Sequence, residues 1–138
     1  LAALKKAGMR IGDWANDILG KPAFTTVAEE VSLDLVMLSV AELGFKEGAT
    51  REDIYARARE LGLDLCPAEV GPQLRLQYQD QPMNDWFLIG MEPITDSDGR
   101  LCVFNLVHDV DGVWLNGYYG NPVRFWNAAY RWVFVRRK

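Results

Sequence analysis

Leu61-Gly-Leu-Asp-Leu-Cys-Pro-Ala-Glu-Val-Gly-Pro-Gln-Leu-Arg-Leu-Gln-Tyr78 separates two unlike halves of the chain. Gly62 closes the helix that precedes it. Leu63-Asp-Leu reads as a short extended piece. Pro67 suits the first position of a helix, where its missing N–H is no loss, and this puts Cys66 near an N-cap. Pro72 then resists simple continuation, because it lacks a donor and crowds the preceding turn. Two readings fit the remainder of the stretch, to Tyr78. Val70, Leu74 and Tyr78 share a helix face, whereas Leu74, Leu76 and Tyr78 alternate with Gln73, Arg75 and Gln77 as a strand would. The proline punctuation favours a short helix restarted at Pro72.

Residues 1–78 on the near side of this hinge are helix-rich. Leu1 to Ala7 reads as the end of a helix stopped by Gly8. A helix over Gly12 to Leu19 carries Ile11, Trp14, Ala15 and Ile18 on one stripe, with Gly20 and Pro22 beyond it. Phe24 to Val27 opens with a turn. Glu30 to Val40 is the one strand: Val31, Leu33, Leu35 and Met37 form an apolar face, and the other face turns apolar from Val36, which predicts entry into a sheet interior. Thr50 caps a helix to Leu61, with Glu52 and Asp53 in its first turn, an Asp53–Arg57 pair, and Ile54, Ala58 and Leu61 as its buried stripe.

Residues 85–138 read as a β-meander. Strands are predicted over Asp85–Met91, Leu101–His108, Val113–Tyr118 and Tyr130–Val135, with turns at Asp96-Ser-Asp-Gly and Asp109-Val-Asp-Gly. Such turns join antiparallel neighbours. The expected fold class is α+β in one domain, 1–138: N-terminal helices plus one strand packed on one face of a mainly antiparallel sheet of about five strands.

Composition narrows the function classes. With 138 residues, 49% apolar and 25% charged, the chain is of the ordinary globular kind, and one domain suffices. A net charge of −4 argues against nucleic acid as a partner; the only dense basic run is Arg136-Arg137-Lys138. No apolar run reaches the ~18 residues of a membrane span. Two distant cysteines, Cys66 and Cys102, and a single histidine exclude an ordinary zinc site and predict no metal and no cofactor. Buried reduced thiols in a cytoplasmic setting are the expectation. No phosphate-binding loop, dinucleotide fingerprint or nucleophile elbow occurs.

What remains is a small set of candidates. Glu42, Glu69 and Glu92 are carboxylates set among apolar residues. His108 ends a strand, and its neighbour Asp109 points to the opposite face. Arg75, between two leucines, needs a partner if buried; Glu69, Glu92 or a ligand anion are the options. Trp114, Asn116 and Tyr118 alternate on one strand face, with Trp126 and Trp132 later, and they line either a binding surface or a core. The two Asp-x-Asp-Gly turns lack the further ligands of a calcium loop.

Asp34-Leu-Val-Met-Leu-Ser-Val-Ala-Glu-Leu-Gly-Phe, the hinge, Met91-Glu-Pro-Ile and Arg131-Trp-Val-Phe-Val-Arg together resemble a group of small uncharacterised bacterial proteins with no established activity. Some carry a helicase label, which this chain's lack of a nucleotide-binding loop does not support. The expected function is a non-catalytic module that binds a protein or small ligand through Arg75, Trp114, Asn116, Tyr118 and Trp126, with homo-oligomerisation left open. The alternative is a small hydrolase using Glu69 and Glu92 with Arg75 and His108.

Overall fold

The computed structural model describes residue 4 and residues 7–22, 24–26 and 33–136. Most of the expected Leu1–Ala7 helix, the end of the Phe24–Val27 turn, the first residues of the expected Glu30–Val40 strand and the last two of the basic run lie outside them. Among the described residues, three helices interrupt ten strands: β1 (Arg10–Ile11), α1 (Asp13–Leu19), β2 (Leu35–Ser39), β3 (Ala49–Thr50), α2 (Arg51–Glu60), β4 (Leu63–Asp64), α3 (Val70–Gln77), β5 (Trp86–Ile89), β6 (Ile94–Thr95), β7 (Leu101–Asp109), β8 (Gly112–Tyr119), β9 (Phe125–Trp126) and β10 (Arg131–Arg136).

The expected sheet of about five mainly antiparallel strands is corrected to a mixed, eight-stranded one. Its path is β1-β8-β7-β5-β10-β2, with β4 also on β10 and β6 also on β7. The β7–β8 hairpin follows the Asp109-Val-Asp-Gly turn as expected and is antiparallel. Two pairings are parallel: β1 runs alongside β8, and β10 returns beside β5 after a long excursion. β3 and β9 form a separate two-stranded sheet.

Helices cover both faces rather than one. Phe87 and Leu88 are successive in β5 and so point to opposite faces. Leu88 lies opposite Trp132, which meets the Tyr55 ring of α2 edge-on at 5.7 Å. Phe87 instead meets Tyr78, at the end of α3, at 6.2 Å. Close approach of α3 depends on Gly71, where an added Cβ would sit 2.6 Å from the Phe104 ring. β2 does not enter the sheet interior; it is an edge strand. Val36 and Leu38 pack against the core, while Leu33, Leu35 and Met37 remain exposed at 41%, 37% and 37%. The period of that strand was legible, but only its Val36 and Leu38 face is covered, not both faces as entry into the interior requires.

α2 starts as expected, with Thr50 Oγ1 accepting from Asp53 N at 3.3 Å. Its buried side is Ile54, Tyr55 and Ala58, and Leu61 is exposed. Arg57 pairs with Glu60 at 3.0 Å instead of Asp53, and its Nε donates to Leu43 O. The hydroxyl of Tyr55 donates to Met91 O at 2.7 Å and accepts from Met91 N, fastening α2 to the chain just beyond β5.

In the hinge, β4 pairs with β10, Cys66 forms a β-bridge with Met91, and the helix reading holds through Gln77, although the helix begins at Val70 and does not restart at Pro72. Pro72 falls in the first turn of α3, where its absent donor has no intrahelical role. Arg75 is wholly buried. Its partner is neither Glu69 nor Glu92. The guanidinium donates to Gln81 Oε1 at 2.6 Å and to the carbonyls of Trp114 at 3.2 Å, Val107 at 3.4 Å and Tyr78. Burial holds its pKa below the ordinary arginine value. Gln81 continues the network to Leu106 O at 3.2 Å and to Asp85, whose carboxylate pairs with Arg131. Replacing Arg75 with Met would strand these acceptors without a donor. We expect a loss of about 3 kcal/mol in urea unfolding; a loss below about 1 kcal/mol would show that the cage is not structural.

Candidate functional site

The alternation of β7 and β8 places Val103, Asn105 and Val107 on one face with Tyr118, Asn116 and Trp114 opposite them. Trp86 of β5 is paired with Val107 and joins the same face. Trp86, Asn105, Val107, Asn116 and Tyr118 line an open cleft of about 620 Å³, whose wall is completed at the sheet edge by Trp14, Gly117 and Tyr119. Gly117 is required there. A Cβ at this position would lie 2.9 Å from Trp14 Cβ and 3.1 Å from Ala15 N, so a larger residue would push α1 off β8. Asp17 fixes α1 from its other end by accepting from Ser97 N at 2.8 Å and Ser97 Oγ at 2.6 Å, which lowers its carboxyl pKa.

Trp86 and Tyr118 stack across this face with centroids 6.0 Å apart and planes 29° from parallel. Asn105 is 3% exposed, and its Oδ1 is buried without a hydrogen-bond partner. A buried amide oxygen in that state typically costs about 1–3 kcal/mol. Asn116 lies directly opposite it. The cleft therefore combines a stacked aromatic pair, two amides and no Asp, Glu, Lys, Arg or His in its lining. A second hollow, of about 200 Å³ on the other face, is lined by Leu35, Met37, Leu74, Tyr78, Phe87 and Val133, with no polar group beyond the tyrosine to orient a ligand.

The residues singled out in the sequence scatter. Asn116 and Tyr118 reach the cleft. Trp114 shares their face but donates its Nε1 to Asp109 Oδ1 at 2.9 Å, beneath the Arg10 guanidinium. Trp126 is 1% exposed and belongs to the core, packed on Tyr118, Tyr130 and Trp132. Arg75 is enclosed in its carbonyl cage. His108 Nδ1 lies 2.6 Å from Gln81 O, and His108 N bonds Asp85 O at the start of β5. Glu92 is exposed beyond the other end of β5. It follows Met91, whose sulfur meets Phe104 N at 3.4 Å. Phe104 and His108 are themselves ~13 Å apart along β7. The structure thus does not bring His108 and Glu92 together. Glu69 is half-buried at the start of α3. Glu42 is exposed and exchanges hydrogen bonds with Ser39, whose backbone N–H does most to lower the Glu42 pKa. Asn105 was missed. Its signal was a lone amide inside the apolar run Cys-Val-Phe-Asn-Leu-Val.

The Asp96 turn is held internally. Asp96 Oδ1 accepts from Arg100 N at 2.8 Å and Asp98 N at 2.9 Å, and these bonds lower its pKa. No cluster of metal-ligating side chains occurs among the described residues. No helix among them is long and apolar enough to cross a membrane. Comparison with protein-family models, curated protein sequences and solved structures found no match.

Both cysteines are free and buried. Burial pushes the Cys66 thiol up to about 12; burial, then the Asp96 carboxylate, pushes Cys102 up to about 11. Neither thiol is expected to react with Ellman's reagent at pH 8 in the native protein, and both are expected to react in urea. A folded-state pKa above the unfolded one gives stability that is complete below the unfolded value of about 8.5 and lost as pH rises toward the folded values. Rapid native labelling, or alkaline stability that does not decline, would contradict the burial of these thiols.

Proposed function

We propose that the protein is a non-catalytic binding module whose cleft takes a small, uncharged ligand with a flat face and hydrogen-bond donors. The orphaned Oδ1 of Asn105, buried at the wall of an aromatic cleft, carries this reading. Buried polar groups are normally satisfied, and an exception in a concave site is a position that a ligand donor would complete. Trp86 and Tyr118 supply area and planarity, and Asn116 supplies a second amide for orientation. Acid–base chemistry needs a titratable group near the reacting atom, and tyrosines are the only ones in the lining. The dispersal of His108 and Glu92 further favours binding over hydrolysis.

Asn105→Leu is close to isosteric and removes the unsatisfied oxygen. We expect it to raise stability by about 1 kcal/mol in urea unfolding. We also expect it to abolish retention of planar, neutral, donor-bearing compounds such as uracil or nicotinamide in equilibrium dialysis. Such opposition between stability and binding marks a residue kept for function. Binding that survives the substitution, or a loss of stability greater than about 1 kcal/mol, would assign Asn105 a purely structural role.

A further inference from the structure

The small sheet places two arginines side by side. Ala49 faces Trp126 and Thr50 faces Phe125; one step on, Arg51 N donates to Arg124 O at 3.1 Å. Arg51 opens α2 and Arg124 lies just before β9, so both flank the ladder at the end beside the buried Ala49 and Trp126. Two like charges on adjacent backbone positions repel each other unless an anion lies between them.

Aromatic rings hold both guanidinium groups. Arg51 Cζ lies 4.7 Å from the Tyr55 centroid; Arg124 Cζ lies 4.4 Å from Tyr119 and 5.2 Å from Trp126. Such contacts attract the cation to the ring face but supply no carboxylate or carbonyl acceptor for its N–H groups. Both residues are half-buried, and the Nε of each is buried with no hydrogen-bond partner among the described residues. None of the ion pairs among the described residues involves either arginine. The neighbouring acids Glu52 and Asp53 are exposed.

We propose that Arg51 and Arg124 together bind one small oxyanion, a phosphate or a carboxylate, through their N–H edges. The planar fork of arginine matches both anions, and one anion between two cations relieves their repulsion while supplying the missing acceptors. The site adjoins the Asn105 cleft without lining it: Arg124 lies 4.4 Å from the Tyr119 ring and 5.8 Å from the Tyr118 ring, both in the cleft wall. Its chemistry is opposite, charged where the cleft lining is neutral.

The test uses the arginine Nε–H signals in proton–nitrogen NMR spectra of the full chain. Inorganic phosphate and acetate are titrated in parallel at constant ionic strength set with sodium chloride. We expect saturable shifts of the Arg51 and Arg124 signals with at least one of the two anions, and the tighter of them identifies the class. Arg124→Gln, read at Arg51, and Arg51→Gln, read at Arg124, should each weaken binding about tenfold or more. Arg124→Lys should bind better than Arg124→Gln. Thermal melts establish that each variant is folded, and two independent sites of substitution keep the test open if one is not. Asn105→Leu should leave anion binding unchanged. Shifts with neither anion, shifts reproduced by chloride alone, or anion binding that requires Asn105 would each overturn the proposal, the last by moving the anion into the cleft.

Discussion

The guanidinium of Arg75 is the constraint on which the rest of the architecture depends. It lies wholly inside the protein and is paired with no carboxylate among the described residues. Carbonyl dipoles from three separate segments converge on it instead: Tyr78 after α3, Val107 of β7 and Trp114 of β8. A cation so placed tolerates little displacement, because each acceptor moved away leaves a charged donor buried and unmatched. α3 is therefore held against the β7–β8 hairpin from one face, and Gln81 carries the restraint to Leu106 and Asp85. Val107 and Trp114, whose carbonyls Arg75 holds, face each other across the ladder, and Val107 lines the cleft with its side chain. The buried cation on one side of the sheet thereby stiffens the strand that presents Asn105 on the other.

The two faces divide the work. On one, α3 seals the middle of the sheet down to an apolar hollow under β2. On the other, α2 and the β3–β9 ladder pack a continuous set of rings, from Phe134 through Tyr55, Trp132 and Trp126 to Tyr118 and Trp86. That aromatic layer is core at Trp126 and Trp132 and becomes surface at Tyr118 and Trp86, where the covering elements end. The cleft is the place where the layer runs out of cover. Its rings are supported from behind by core rings, and arginines brace them from the side, Arg124 against Tyr118 and Tyr119 and Arg100 over Trp14.

Local signals were legible and non-local ones were not. The β7–β8 hairpin was readable because an Asp-Val-Asp-Gly turn sits between two alternating runs. α2 was readable from Thr50 and its acidic first turn. The parallel partnership of β10 with β5 left no local trace, since strands that meet across more than forty residues are joined by no turn type. Strands of two residues, such as β1, β3 and β9, show no period at all. β2 displayed its alternation plainly, but an edge strand with apolar residues on both faces does not say which face is covered. At the site, the alternation of Asn116 and Tyr118 put both on the right face. Asn105 stood out locally as a lone amide in an apolar run, but such a run does not say whether the amide meets a core partner or a cleft, and Trp126 looked like a surface ring because its loop position concealed β9.

The central claim is that the face bearing Asn105 is where this protein meets its ligand. An NMR screen of small polar ring compounds tests it most directly, read at the side-chain amides of Asn105 and Asn116 and at the Trp86 indole. Compounds that bind are predicted to shift these three signals together in a saturable way. Binders that instead shift residues around Leu35, Met37 and Leu74, leaving Asn105 unmoved, would contradict it.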